Sequence, residues 1–269
     1  MLFRETISTM ARKFKKPLKI FLIVLFWFMV WEVASLVIGK PLLFPSPIDV
    51  FIKLLELSIT KAFWQNTLLS LGRVSLGIVI AIVLGCLVAL LCSFSKLLYD
   101  VLYPLVTVIK STPVASFIIL VWIFIGNNAT PIVISALMVF PIVFANVYSG
   151  IKGVDKNMIE VCKIYNIPKK KIISSLYVPS VLPHFSSALL SSIGLGWKAG
   201  IAAEVLCTPI KSIGRAIFDS KTYIEYVDLF AWTLTVVILS LALEFALTKL
   251  IKVAFKKYIT SSKGGKNEN

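Results

Sequence analysis

The chain has 269 residues, of which 58% are hydrophobic and 15% are charged, whereas an ordinary globular domain has about 45–50% apolar and about 25% charged residues. Its mean hydropathy is +0.91, so there is too little polar surface to cover a water-soluble core, and a soluble globular protein is excluded. The net charge is +15. Because the cations lie between apolar blocks and at both chain ends, they are typical of membrane topology signals and not of a nucleic-acid-binding surface.

Six stretches are long and apolar enough to cross a hydrocarbon core, which takes about 20 helical residues. The predicted spans are residues 18–38, 68–94, 98–125, 132–148, 185–206 and 229–250. The sequence therefore predicts an all-α, polytopic membrane protein with six transmembrane helices.

Three regions follow from these spans. Residues 1–17 form a basic segment, residues 18–250 form the membrane domain, and residues 251–269 form a basic tail that is partly disordered by composition. The first apolar run is too long for a signal peptide and no cleavage site follows it. We therefore expect a multi-pass protein of the plasma or inner membrane, with both ends in the cytoplasm.

The first half of the membrane domain contains several packing and turn signals. The FPSP turn at residues 44–47 leads into an amphipathic stretch that we expect to lie as a helix on the outer surface. In the second span, Gly72, Gly77 and Gly85 provide small faces for close helix packing. The third span, 98–125, is expected to be broken by its two prolines, Pro104 and Pro113.

Ionisable residues inside the spans are costly and usually face a cavity or a partner. In one interpretation a translocation pathway for an anionic or polar solute is lined by Lys110, Ser111, Lys198 and Glu204. In the other, the lysines pair with carboxylates such as Glu204 or extend to an interface, and Glu204 braces a neighbouring helix.

The longest polar segment, residues 150–183, carries six lysines and is predicted to be cytoplasmic. Apolar residues within it recur at helical spacing, which predicts a short amphipathic helix that Pro168 ends. The predicted apolar face consists of Met158, Val161, Cys162 and Tyr165. From the residues alone, a solvated loop that only sets the topology explains the lysines equally well.

This segment resembles the EAA loop of binding-protein-dependent ABC importer permeases: Glu-Ala-Ala, three residues, Gly, nine residues and then Ile-x-Leu-Pro. Glu160-Val161-Cys162 stands at the triplet, Asn166 at the glycine and Leu176-Tyr177-Val178-Pro179 at the terminal motif. Neither alanine is present. Asn replaces Gly, but Asn also adopts the left-handed conformation readily, so the turn can be kept.

Other stretches are similar to the permeases for nitrate, sulfonates and taurine. These are FPSPIDV, NTLLSLGRVSLGIVIAIVLGCLVALLCSFS, VIKSTPVASFIILVWIFIG, SIGRAI and GWKAGIAAEVLC, the last with Trp197, Ala203 and Glu204. The order and spacing of the motifs carry the resemblance, which covers about residues 40–250.

The resemblance implies a type I ABC importer, in which the permease itself makes and breaks no bonds. Two permease copies would form the pathway, two cytoplasmic ATPase subunits would receive the short helices, and an extracellular or periplasmic binding protein would deliver nitrate, a sulfonate such as taurine, or a vitamin precursor. The implied coupling residues are the apolar face together with Glu160, Asn166, Pro168 and Pro179. A Glu160→Lys variant is expected to hydrolyse ATP without responding to substrate.

Two other classes of protein remain as alternatives. A secondary transporter or channel driven by ion gradients would need coupling carboxylates in the spans, a role for which only Glu32 and Glu204 qualify, and no inverted repeat is visible. A membrane-embedded enzyme would need a metal or nucleophile cluster. The four cysteines form no CxxC pair, His184 is the single histidine, and no GxxxxGK[ST] loop occurs. We therefore expect no cofactor, and ATP would have to bind to another chain.

Overall fold

The computed structural model describes residues 2–40 and 42–254, and within them every regular element is a helix. In chain order the helices are α1 (Leu2–Ile38), α2 (Pro47–Ser58), α3 (Lys61–Phe94), α4 (Lys96–Ser111), α5 (Val114–Ile125), α6 (Thr130–Lys152), α7 (Lys156–Ile164), α8 (Lys169–Ile172), α9 (Val178–Cys207), α10 (Ile213–Thr222) and α11 (Tyr226–Ala254). The predicted all-α class is confirmed. Most of the predicted tail, residues 255–269, lies outside the described residues.

Within the described residues, five helical segments are long and apolar enough to cross a membrane: those containing α1, α3, α6, α9 and α11. The sixth predicted span is instead a pair of helices, α4 and α5, which meet at an angle of 107°. Pro104 lies inside α4 without breaking it. The break comes only before Pro113, where Thr112 has the extended conformation that a following proline favours. The prediction that both prolines break the span is wrong for Pro104.

Several helices extend well beyond the apolar runs that predicted them. The first helix begins at Leu2 and not near residue 18. The fifth predicted span belongs to an uninterrupted helical stretch from Lys169 to Cys207, so the second half of the predicted loop 150–183 is helical. Hydropathy marks only the part of a helix that fits in lipid, whereas backbone hydrogen bonding continues the helix into polar sequence.

The centre of the bundle is α6, which lies between α3 and α9 and packs against both. Glycines on α3 allow close contact: a Cβ on Gly77 would collide with the Ile132 backbone, and a Cβ on Gly85 would lie 2.9 Å from the Cβ of Val143. Gly72 has nothing within 4 Å of such a Cβ. The predicted packing role is therefore confirmed for Gly77 and Gly85 and is wrong for Gly72.

The two ends of the bundle differ in charge. The end that carries α7, α8 and the C-terminus of α3 is called the basic end here. Its lysines include Lys96, Lys152, Lys156, Lys163, Lys169, Lys170 and Lys171. The Nζ of Lys152 donates a hydrogen bond to the carbonyl of Ser93 at 3.0 Å and so joins the ends of α6 and α3.

The opposite end carries α2 and α10. Helix α2 begins where the FPSP turn predicts, because the Ser46 hydroxyl accepts a hydrogen bond from the Asp49 amide at 3.1 Å and Pro47 occupies the first turn. It packs against α11, and Lys53 lies 3.3 Å from Asp228. The predicted amphipathic helix is confirmed, and its place on the outer surface stays a prediction.

Candidate functional site

Helix α7 at the basic end forms where the helical spacing predicts it. The Asp155 side chain caps its first turn by accepting a hydrogen bond from the Asn157 amide at 2.8 Å. Met158, Val161 and Tyr165 are 54%, 46% and 76% exposed. An exposed apolar face on a short, well-capped helix is suited to a hydrophobic groove of another protein.

Helix α7 ends at Ile164, before the predicted stop at Pro168. Asn166 has φ +51°, and its amide donates to the Lys163 carbonyl at 3.0 Å, while the Ile167 amide donates to the Cys162 carbonyl at 2.9 Å. This pair of bonds is a Schellman motif, which requires a left-handed residue at the helix end. The left-handed conformation expected of Asn166 is confirmed. Pro168 begins the next helix and does not end this one.

The side chains of α7 point in two directions. Because a helix turns about 100° per residue, Glu160 lies roughly opposite the apolar face that contains Met158 and Tyr165. Glu160 is exposed and forms no salt bridge among the described residues. Ile159 is half-buried and faces the bundle. Glu160 therefore contributes nothing to the apolar face itself.

A continuous helix joins this segment to the membrane domain. Between α8 and α9 the chain makes a π-turn, Ile173–Tyr177, and the Val178 amide donates to the carbonyl of Ile173. Pro179 follows in the first turn of α9. Since proline has no amide hydrogen, the wider turn just before it accommodates the missing bond without ending the helix.

Helices α6 and α9, which precede and follow the α7–α8 segment, are in direct contact. The Ser180 hydroxyl donates to the Gly150 carbonyl at 3.0 Å, and a Cβ on Gly150 would lie 2.9 Å from the Cα of Val181. The contact therefore joins the C-terminal end of α6 to the N-terminal end of α9.

The two membrane lysines are exposed on the surface of the single chain. Lys110 lies in the last turn of α4, next to the 107° bend. Lys198 is exposed on α9, although its neighbour Trp197 is fully buried and donates a hydrogen bond to the Val236 carbonyl at 3.1 Å. Neither lysine forms a salt bridge within the described part of the chain. The interpretation that they pair with Glu204 is therefore wrong.

Both lysines lie far from the basic end along their helices. From Lys96 to Lys110 the helix rises about 21 Å, and from His184 to Lys198 the rise is again about 21 Å. His184 lies against Gly150 at the end of α6. Since the hydrocarbon core is about 30 Å thick, a rise of about 21 Å places both lysines within the core when the basic end lies at its edge.

Small or polar side chains accompany each lysine at helical spacing. The α4 stripe consists of the exposed residues Tyr103, Thr107, Lys110 and Ser111. The α9 stripe consists of the exposed or half-exposed residues Ser187, Ser191, Gly194, Lys198 and Ala202. The Ser111 hydroxyl donates to the Thr107 carbonyl at 3.0 Å, so it presents an oxygen outward and leaves no donor unsatisfied.

Glu204 lies elsewhere, in a buried cluster toward the opposite end. It is fully buried and accepts hydrogen bonds from the Ser70 hydroxyl and, at 3.3 Å, from the Gly214 amide. Arg73 lies 3.4 Å from its other oxygen and also donates to the Ile210 carbonyl at 2.8 Å. Glu204 thus joins α3, α9 and α10, which is the bracing role that the second interpretation gave it.

A polar hollow of about 450 Å³ opens at the same end. It lies between the α5–α6 turn, the chain after α9, and α10, and its polar lining includes Asn127, Asn128, Arg215 and Asp219. Its residues come from distant parts of the chain that no motif connects, so the sequence alone does not predict it.

Comparison with known proteins identifies the family. Residues 77–257 match the family described as binding-protein-dependent transport system inner membrane component. The chain is 30% identical to the nitrate import permease protein of Synechococcus elongatus over 71% of this chain and 72% of the relative. It is 24% identical to the taurine transport system permease protein of Escherichia coli over 82% of each chain.

Two further proteins extend the comparison. The formylaminopyrimidine transport permease protein of Halalkalibacterium halodurans is 27% identical over 66% of this chain and 71% of the relative. Among solved structures, a bacterial ABC transporter involved in the import of the acidic polysaccharide alginate superposes with a TM-score of 0.60 at 15% identity, covering 87% of this chain and 93% of that one. This likeness confirms the fold expected of a type I importer permease.

The family match also decides between the classes of transporter. It favours the ABC importer over the secondary transporter or channel, and it implies two partners, an ATPase and a substrate-binding protein. The chain therefore belongs to the binding-protein-dependent transport system inner membrane components and is an integral, non-enzymatic permease subunit of an ABC importer.

Proposed function

We propose that two copies of this chain form the pathway of an importer for a small anion, lined by the α4 and α9 stripes. The observation that supports this is the exposure of Lys110 and Lys198 at membrane depth without a salt-bridge partner among the described residues. A lysine that faces lipid is costly, with an upper value of about 2.5–3.5 kcal/mol at the bilayer centre on insertion scales. A second copy with an aqueous space between the two removes that cost.

The solute we favour is a small oxyanion or sulfonate. Two relatives are named as nitrate and taurine transport proteins, and a third is named as a formylaminopyrimidine transport protein. A cationic lining attracts an anion and gives a neutral pyrimidine no comparable advantage. The vitamin-precursor class is the alternative, and the binding protein would set the final selectivity.

We infer that α7 is the segment through which the ATPase drives the permease. Its apolar face would dock in a groove of the ATPase, and the Asn166 turn with Pro168 and Pro179 would fix the helix relative to α9. Glu160 lies on the other side of α7, so it would contact the ATPase outside that groove. ATP binding would then draw the two α7 helices together and turn the pathway outward.

The orientation we propose places the basic end and both chain termini in the cytoplasm. Excess lysine and arginine in short loops is the main determinant of membrane orientation, and residues 150–171 hold six lysines. The opposite end, with its polar hollow beside α10, would then face the binding protein. Residues 1–17 and 251–269 would flank the membrane domain as basic cytoplasmic segments.

The direct test is transport in liposomes that contain the permease with its ATPase and its binding protein. We expect ATP-dependent uptake of labelled nitrate or taurine. Lys198→Gln and Lys110→Gln should each lower uptake about fivefold, the size expected for losing about 1 kcal/mol of charge interaction. The matched control is Lys249→Gln, an exposed lysine on α11 outside both stripes.

Two results would count against this function. Solute uptake that follows an ion gradient without ATP would favour the secondary transporter. Full uptake of an anion by the Lys110→Gln and Lys198→Gln double variant would show that the lysines do not line the pathway.

A further inference from the structure

A large apolar cavity opens at the basic end, apart from both stripes. Its volume is about 740 Å³, and it lies between α3, α6, α7 and the helical stretch from Lys169 to Phe185. The apolar walls include Leu90 and Phe94 of α3, Ile151 of α6 and Phe185 of α9. Water is a poor occupant of such a space, because a buried water needs two to four polar partners.

The polar rim of this cavity is cationic. Lys152 and Lys169 line it, and no carboxylate of the described residues does. The Lys152 ammonium uses one donor on the Ser93 carbonyl, which leaves two of its three donors for a ligand. Neither lysine forms a salt bridge within the described part of the chain.

The cavity is also separate from the face of α7 that we assign to the ATPase. Ile159 is the residue of α7 that lines the cavity, whereas Met158 and Val161 do not line it and are exposed. An ATPase docked on the apolar face would therefore leave the cavity open to the membrane interface.

We propose that an anionic phospholipid occupies this cavity, with an acyl chain against the apolar walls and its phosphate between Lys152 and Lys169. Long apolar walls match an acyl chain, a cationic rim matches a phosphate, and the ends of α3 and α6 place the rim at the membrane surface, where lipid head groups lie. Basic pockets between membrane helices bind acidic lipid head groups in this way. The site concerns a bound lipid and is independent of the transported solute.

The first test measures lipid retained by the full-length protein after purification in mild detergent. Lipids are extracted and quantified by mass spectrometry for the wild type and for the Lys152→Gln, Lys169→Gln double variant. The matched control is the Lys61→Gln, Lys221→Gln double variant, which loses the same charge from exposed lysines elsewhere. We expect the first variant to lose an anionic phospholipid that the control keeps. Equal retention in the three proteins would overturn the proposal.

The second test identifies which part of the lipid is bound. Protein stripped of lipid is melted after addition of phosphatidylglycerol, phosphatidylcholine or inorganic phosphate. We expect phosphatidylglycerol to raise the melting temperature of the wild type and not that of the Lys152→Gln, Lys169→Gln variant. An equal rise with phosphatidylcholine, or the same rise with inorganic phosphate, would contradict an anionic phospholipid as the occupant.

Discussion

Asn166 and Gly77 occupy positions where the backbone accepts few side chains, for different reasons. Asn166 has a positive φ of +51° in the turn that ends α7, a conformation that costs most residues about 1–2 kcal/mol. Gly77 has ordinary helical geometry, but the Ile132 backbone occupies the space where a Cβ would lie. Position 166 therefore restricts the backbone conformation, and position 77 restricts the volume of the side chain.

For Asn166 we therefore expect two substitutions to have different effects on the stability of the protein. Asn166→Val should lower the free energy of unfolding by about 1–2 kcal/mol, because a β-branched residue is strained at positive φ. Asn166→Gly should preserve it. Chemical unfolding of the purified protein in detergent measures both. Equal stability of the two variants would contradict the left-handed turn.

Gly77 and Gly72 offer a matched pair on one helix. Gly77→Ala should lower the free energy of unfolding by about 1–3 kcal/mol, because α3 and α6 must move apart. Gly72→Ala should cause no loss, because nothing lies within 4 Å of the added methyl group. Thermal melting in detergent compares them, and an equal loss in both variants would be inconsistent with the packing described.

Residue patterns alone identified Glu204 but not its partners. An ionisable residue in an apolar run is visible in any sequence, whereas Ser70 and Arg73 lie more than a hundred positions away. Only the packing of α3 against α9 brings them together. The same limit explains why the sequence left open whether Glu204 braces a helix or lines a pathway.

At the scale of helices, the spacing of apolar residues predicted which helices form better than it predicted where they begin and end. The apolar spacing of residues 158–165 identified α7, and the FPSP turn identified the start of α2. Pro104 and Pro113 look alike in sequence, yet α4 tolerates the first and ends before the second. Whether a proline interrupts a helix depends on whether neighbouring groups satisfy the freed carbonyl, which local sequence does not contain.

The apolar face of α7 gives a prediction for coupling. Met158→Glu should reduce the stimulation of ATP hydrolysis by the loaded binding protein about tenfold or more, because burying an unpaired carboxylate in a groove is costly. Glu160→Lys is expected to uncouple the complex as well. Lys156→Gln, an exposed change on the same helix but outside the apolar face, is the control. The assay is the rate of phosphate release from the reconstituted complex.

Normal stimulation in the Met158→Glu variant would show that the ATPase does not use this face. Loss of stimulation in the Lys156→Gln control would instead indicate that any change in α7 disturbs the segment.

The whole molecule leaves much apolar surface uncovered. The window Phe21–Ile38 of α1 contains no buried residue, and long side chains of α5 such as Phe124 are 83% exposed. Patches of this size mark contact with lipid or with another protein. The polar stripes on α4 and α9 interrupt this apolar surface, which is why we place the second copy there and lipid elsewhere.

Thiol cross-linking tests that arrangement. In a variant without the four native cysteines, Ser191→Cys should form a cross-linked dimer with a bis-maleimide reagent long enough to span the pathway, because the α9 stripes of two copies would face each other across it. Leu241→Cys, an exposed position on α11 at 63%, should remain monomeric. Denaturing electrophoresis distinguishes them. A dimer at Leu241→Cys alone would place the second copy on the other side of the bundle.

The unbroken helical stretch from Lys169 to Cys207 is 39 residues long, or about 58 Å at 1.5 Å per residue. A rigid helix of that length that rotates about its middle acts as a lever with a central pivot. A tilt of about 10° moves its two ends by about 5 Å in opposite directions. In a symmetric pair, drawing the Lys169 ends together would by geometry alone spread the Cys207 ends apart, so one rigid helix can close one side of a pathway while it opens the other.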